Sequence, residues 1–152
     1  MSNQIPQNIG LIGLGAMGAG MASSLRRAGY NVHVYDIRPE AVIAFTADGG
    51  VACDSAESVA DACPIVISVL VNADQTEQLL FGAGGMAARM QPDSTFVMCS
   101  TVDPNWSIAM GARLNELGLL YLDAPISGGA AKAASGQMTM MTSGDPAAYA
   151  LC

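Results

Sequence analysis

The chain has 152 residues, 51% of them apolar and only 12% charged, with six basic against thirteen acidic side chains and a net charge of −7. That is one domain's worth of sequence, residues 1–152, with ample material for a core, and far too apolar for a disordered segment. Six cations and 5% aromatics exclude nucleic-acid binding through a basic face or a base-stacking platform. The longest apolar run, near residues 65–71, is broken by Ser68 and falls well short of the roughly 20 residues a membrane span needs. The opening MSNQIPQ lacks the basic stretch of a secretory signal, so no membrane association is expected.

Residues 8–13 (NIGLIG) read as a short buried strand ending in glycine. Residues 16–28 have helical period, with Met17, Met21, Leu25 and Ala28 on one stripe and Gly29 placed to stop the helix. A second strand is predicted over 31–35 (NVHVY), ending at Asp36. Pro39 opens a helix to about Ala47, and Asp48-Gly49-Gly50 turns the chain into a short third strand at Val51-Ala52. Ser55 and Ser58 begin a short helix over 57–61. Residues 64–71 (PIVISVLV) give the clearest buried parallel strand. Two short helices, 74–81 and 85–90, precede a strand over 94–99. Asp103-Pro104 caps a helix whose stripe is Trp106, Met110, Leu114 and Leu117, with Gly118 as its stop. A strand over 119–124, a loop or short helix over 128–135, a last strand over 138–142 (MTMMT) and a helix from Asp145-Pro146 complete the chain. Strands alternating with helices at this spacing predict an α/β fold of Rossmann type: a doubly wound, mainly parallel sheet with helices on both faces.

The sharpest chemical signal is Gly13-Leu14-Gly15-Ala16-Met17-Gly18. A G-x-G-x-x-G alone is weak, and a tight strand–helix turn would also explain it. Here it follows a strand and opens a helix, and Asp36 ends the next strand eighteen residues after Gly18. Gly13 permits the turn, Gly15 lets the backbone approach a pyrophosphate, and Gly18 lets the helix pack close to the strand. The pyrophosphate would rest on the free N–H groups of the helix start. Asp36 would accept the ribose hydroxyls and repel a 2′-phosphate, which favours NAD over NADP. Arg38 could instead accept that phosphate, or be a solvated surface residue. The four cysteines (Cys53, Cys63, Cys99 and Cys152) show no CxxC spacing, and His33 is the only histidine, which argues against a zinc site. They could form two disulfides. With Cys63 and Cys99 in or beside apolar strands, reduced thiols in a cytoplasmic protein are the reading preferred.

Three stretches resemble the β-hydroxyacid dehydrogenase family, whose members are similar to 3-hydroxyisobutyrate dehydrogenase. They are residues 10–29 (GLIGLGAMGAGMASSLRRAG), 100–104 (STVDP), and 123–129 (DAPISGG) followed by 136–144 (GQMTMMTSG). Residues 71–78 and 122–134 look most like the L-threonate dehydrogenase branch. The resemblance implies an NAD-dependent oxidoreductase acting on a small hydroxy acid. It implies that Asp36, Ile37 and Arg38 hold the adenosine end. Leu70 and Val71, with Asn72 and Gln75, would line the cofactor beside it, and Thr101 would hold the nicotinamide ribose. Ser127, Gly128 and Gly129 would bind the substrate carboxylate, a role that suits a Ser-Gly-Gly loop after a parallel strand; a plain flexible loop is the alternative. Thr101 could equally cap a helix, and Lys132, the only lysine, could steer an anion or be solvated. Asp123, His33, Trp106 and the methionines read as structural. The family's proton-transfer lysine and its helical second domain are expected beyond Cys152, so no catalytic residue is assigned in this chain. The full-length protein is expected to be a homodimer or homotetramer. A non-catalytic NAD-sensing module and half of an imine-reductase-type enzyme remain alternatives.

Overall fold

The computed structural model describes residues 7–152, so all but the last residue of the MSNQIPQ opening lies outside the described residues. The strands are β1 (Asn8–Ile12), β2 (Asn31–Tyr35), β3 (Val51–Ala52), β4 (Ile65–Ser68), β5 (Thr95–Met98), β6 (Leu120–Asp123), β7 (Ile126–Ser127), β8 (Thr139–Met140) and β9 (Ser143–Gly144). The helices are α1 (Ala16–Arg27), α2 (Pro39–Thr46), α3 (Ala56–Ala62), α4 (Ala73–Phe81), α5 (Pro104–Glu116), α6 (Gly129–Ser135) and α7 (Pro146–Leu151), with a 3-10 turn over Met86–Arg89. The main sheet has the order β3-β2-β1-β4-β5-β6-β9, and every pairing in it is parallel except β6–β9. This is the doubly wound arrangement expected. The chain runs outward from β1 through β2 to β3, then crosses back to begin β4 on the other side of β1. That reversal opens a crevice at the carboxyl ends of β1 and β4.

Both faces of the sheet are covered, so its strands are apolar on both sides. Ile9 and Leu11 of β1, Val32 and Val34 of β2, and Val97 and Leu122 pack with Met21, Ala22, Phe45, Ala133 and Ala148 from α1, α2, α6 and α7. The alternate positions, Ile12, Val66, Phe96, Met98 and Tyr121, pack with Val59, Leu80, Met110 and Leu114 from α3, α4 and α5. α1 and α5 end in the same device. Gly29 and Gly118 sit at positive φ (99° and 76°), and the next residue's N–H returns to the carbonyl five residues back in each turn, Tyr30 to Leu25 and Leu119 to Leu114.

The structure departs from the sequence reading in four places. β4 stops at Ser68 rather than reaching Val71. Val69 still donates to the Ile12 carbonyl at 2.8 Å, after which Leu70 and Val71 leave the sheet to wall the crevice. An apolar run cannot distinguish residues buried in a sheet from residues lining a cleft. The strand expected over 138–142 is split. β8 pairs with β7 in a separate two-stranded ribbon, and β9 closes the main sheet. Leu117 is exposed because the helix stop turns the chain there and inserts Leu119 into the core instead. Ala28 is likewise exposed, and α1 buries Gly18, Gly20, Met21 and Ala22.

Candidate functional site

The three glycines of the β1–α1 turn have different reasons to be glycine. Gly13 has φ +99°, and a Cβ there would run into the Val69 carbonyl. A Cβ on Gly18 would run into the carbonyl oxygen of Gly13. Gly15 has φ −64° and ψ −175°, a conformation open to any residue, and a Cβ on it would meet nothing within 4 Å. Among the described residues nothing requires Gly15 to be bare. Its open side belongs to the crevice, which it lines.

The start of α1 is also unsatisfied. Gly15 offers no side-chain cap and the first turn carries no acid, so the N–H groups of Ala16, Met17 and Gly18 lack intrahelical partners. By contrast, Ser55, Asn72 and Asp103 cap α3, α4 and α5 with side-chain oxygens. Ala16 is exposed at the turn, while Met17 is half-buried against the core. Leu14 is buried, and its N–H is already engaged by Asp36.

Asp36 follows β2 and reaches back to the glycine turn. Its side chain is only 7% exposed. One carboxylate oxygen accepts the Leu14 N–H at 2.7 Å, and the other accepts the Arg38 N–H at 2.8 Å. The Arg38 guanidinium folds back onto both oxygens, at 3.1 and 3.3 Å. Arg38 is therefore an exposed residue held in an ion pair with Asp36. Burial alone would raise the Asp36 pKa, but the Arg38 guanidinium and the Leu14 and Arg38 N–H donors outweigh it and hold the carboxyl below its usual range. The group is a fixed anion at neutral pH.

Beyond the turn, the crevice widens to a cleft of about 870 Å³ between the end of β2 and the β4–α4 connection. Ile37 and Val71 stand on its two sides, 85% and 80% exposed. Two β-branched side chains left this open flank a slot suited to a flat ring. Leu70 lines the cleft, as does Gln75, whose Oε1 accepts the Val71 N–H at 3.0 Å. Asn72 does not line it; its side chain accepts the Gln75 N–H at 2.9 Å and caps α4. Sequence reasoning missed Tyr35, Glu57, Val69, Asp74, Leu79 and Gly84, which also line the cleft. Tyr35 and Val69 adjoin residues already singled out. Glu57 comes from α3, which no motif connects to the glycine turn. The cleft thus carries three carboxylates (Asp36, Glu57 and Asp74) and one cation, Arg38, already paired.

Thr101 is exposed just past β5 and outside the lining of this cleft. Asp103, not Thr101, caps α5, and Ser100 donates to the Leu70 carbonyl at 2.7 Å, tying the ends of β4 and β5 together. Ser127 ends β7; Gly128 and Gly129 follow at φ +129° and +76° and lead into α6. These three also lie outside the cleft lining. They are nevertheless fixed relative to it, because α6 packs on α1. The Ser24 hydroxyl donates to the Ala133 and Ala134 carbonyls at 2.9 and 3.0 Å, Arg27 also donates to Ala134, and a Cβ on Gly20 would meet the Ala134 nitrogen at 2.7 Å.

Other candidate groups lie apart from the cleft. Asp123 lines a second hollow of about 500 Å³ between α5 and the β6–β9 edge. Burial lowers the His33 pKa, and burial pushes the Cys63 and Cys99 thiols up to about 12, which leaves them un-ionised and unreactive. Among the described residues there is no group of side chains able to hold a metal ion, and no helix is long and apolar enough to cross a membrane.

Fold and cleft together define a dinucleotide-binding domain of the doubly wound class. Residues 8–152 match the family described as the NAD binding domain of 6-phosphogluconate dehydrogenase. The chain belongs to that family, the NAD-binding domain of the β-hydroxyacid dehydrogenases. It is 57% identical over 145 residues to the L-threonate dehydrogenase of Cupriavidus necator, covering 95% of this chain and 49% of that protein. It superimposes with a TM-score of 0.90 on the crystal structure of 3-hydroxyisobutyrate dehydrogenase from Salmonella typhimurium, at 39% identity, covering 96% of this chain and 53% of that one. An imine reductase from a Pseudomonas species has the same architecture, with a TM-score of 0.85 at 25% identity over 94% of this chain and 49% of that one. The chain spans about half the length of the curated relatives it matches.

Proposed function

We propose that this chain binds NAD in preference to NADP and is the cofactor-binding half of an oxidoreductase acting on a small hydroxy acid. The observation that carries this reading is Gly15: a glycine with no internal reason to be one, at the uncapped start of α1, open to the cleft and opposite Asp36. A pyrophosphate supplies the missing reason, because phosphate oxygens reach backbone N–H groups only where no Cβ intervenes. In this reading Gly13, Leu14, Gly15, Ala16, Met17 and Gly18 form the pyrophosphate turn, Asp36 takes the ribose hydroxyls, and Ile37 and Val71 flank the adenine. Arg38, Leu70 and Gln75 complete the adenosine end, with Asn72 acting through its cap of α4. Three carboxylates around one paired guanidinium disfavour a 2′-phosphate.

Thr101 is assigned to the nicotinamide ribose, and Ser127, Gly128 and Gly129 to the substrate carboxylate. NAD, when bound, supplies the hydride acceptor for oxidation of a carbinol. The chain's own groups orient the cofactor and the acid. A general base near the hydroxyl is still required. None is assigned within these 152 residues, and in this reading it belongs to the remaining half of a protein about twice this length. The likeness to L-threonate dehydrogenase favours a hydroxy acid such as L-threonate, over imine reduction and over a purely NAD-sensing role. The same reading places the whole protein in the cytoplasm as a homodimer or homotetramer. Calorimetric titration with NAD and NADP, with an Asp36→Ala control, tests the cofactor assignment. Tighter binding of NAD, lost in the variant, is expected; equal affinity for the two cofactors overturns it.

A further inference from the structure

The chain has six cationic side chains, and five of them are committed to partners. Arg26 donates to the Asp48 carbonyl and Arg27 to Ser24 and Ala134. Arg38 pairs with Asp36, Arg89 with Asp61, and Arg113 with Glu77 while lying 3.9 Å over the Phe81 ring. Lys132 is different. Among the described residues no carboxylate pairs with it, and its ammonium makes none of the side-chain hydrogen bonds.

Its position is equally particular. Lys132 lies one turn into α6, and its stem rests on Gly128: a Cβ added to Gly128 would sit 2.9 Å from the Lys132 Cδ and 3.1 Å from its Cβ. Gly128 is thus glycine for two reasons, its φ of +129° and the room it leaves for the lysine stem. This cation, uncommitted among the described residues, is folded along the Ser127–Gly129 loop. Long-stemmed cations behave this way, burying methylenes and keeping the charge where a ligand or water can reach it. In a chain of net charge −7, an approaching anion needs a local positive charge to offset the general field.

We propose that Lys132 is the counter-charge for the carboxylate of the hydroxy acid, completing a site whose other donors come from Ser127, Gly128 and Gly129. This rests on the reading of that loop as the carboxylate site. Lys132 here binds and selects; it moves no proton.

The test uses the full-length polypeptide with wild-type, Lys132→Met and Lys132→Arg forms. The probes are L-threonate and L-threonamide, which keeps the hydroxyls and lacks the charge. Losing one charge-assisted contact raises the KM for L-threonate about tenfold or more in Lys132→Met. The Kd of L-threonate for the NADH complex, measured by calorimetry, rises equally. kcat, the KM for L-threonamide and the NAD affinity stay within about twofold, Lys132→Arg keeps most of the wild-type affinity, and the salt dependence of kcat/KM flattens in Lys132→Met. Equal loss on acid and amide would make Lys132 a packing residue, and no loss on either would make it a solvated one; each overturns the proposal. A wild-type enzyme that oxidises neither L-threonate nor 3-hydroxyisobutyrate with NAD overturns the hydroxy-acid reading and this proposal with it. An active wild type indifferent to Lys132→Met overturns this proposal alone.

Discussion

Replacing Gly15 and Gly18 separately by alanine distinguishes a glycine kept for a ligand from one kept for the fold. At Gly18 the new methyl points into the Gly13 carbonyl oxygen, a backbone atom that cannot swing aside. Overpacking costs about 1–3 kcal/mol when side chains can yield, so a cost of about 3 kcal/mol is expected against backbone. For a chain of this size that lowers Tm by about 6–12 °C. At Gly15 the methyl meets no atom within 4 Å, and the backbone angles suit alanine. The expected stability change is nil to about 1 kcal/mol favourable, because the unfolded chain loses freedom. NAD binding should respond in the opposite order of specificity. Gly15→Ala puts a methyl between the pyrophosphate and the N–H groups of α1, forfeiting a charge-assisted hydrogen bond of about 1.5–3 kcal/mol, about 10- to 150-fold in Kd. Thermal unfolding and NAD calorimetry on both variants make the measurement. A Gly15→Ala protein that binds NAD within twofold of wild type, or melts as early as Gly18→Ala, would refute the argument.

Arg38→Ala removes the guanidinium assigned to the adenosine end, so NAD should bind up to about fivefold more weakly, the value of an exposed charged contact of at most about 1 kcal/mol; unchanged or tighter binding in calorimetry would show that Arg38 only competes for Asp36. Gly20→Val pushes against the Ala134 nitrogen, and should speed hydrogen exchange through α6 while leaving NAD affinity within about threefold. Unchanged protection would show that α6 is held elsewhere. Above pH 9, urea midpoints should fall steadily towards pH 12. The unfolded chain gives up its thiol protons near 9.0, whereas folded Cys63 and Cys99 hold theirs to about 12, so the stabilisation is complete below 9 and is lost as pH rises through that window. A shallower profile in a variant lacking both thiols identifies their contribution, the slope that remains coming from Tyr121, Cys53 and Cys152, whose pKa values burial also raises; an unchanged slope would refute it.

What was legible in the sequence was local. The strand end at Tyr35, the caps at Ser55 and Asp103, and the stops at Gly29 and Gly118 are decided by a few neighbouring residues, and all lie where the pattern puts them, while β1 ends at Ile12, one residue before the glycine expected. The misses share one cause. Whether Val71 lies in a sheet or on a cleft wall, and whether Leu117 or Leu119 enters the core, depends on what packs there from elsewhere in the chain. Glu57 joins the cleft by the same long-range accident of packing. The two-residue β9 has no signal of its own and exists because β6 offers it an edge.

The same distinction governs the site. The sequence presents Gly13, Gly15 and Gly18 as one motif, yet only their surroundings reveal that two serve the fold and one faces outward. The sequence likewise presents the glycine turn and the Ser127–Gly129 loop as separate signals, more than a hundred residues apart. α1 joins them: its first turn opens on the cleft, and Gly20, Ser24 and Arg27 on its flank hold α6. In the proposed reading, a dinucleotide seated on the start of α1 and an acid seated on the loop before α6 would thereby be referred to one rigid element. Hydride transfer demands that kind of fixed relation between cofactor and substrate, since a misplacement of about 1 Å can cost on the order of a hundredfold in rate.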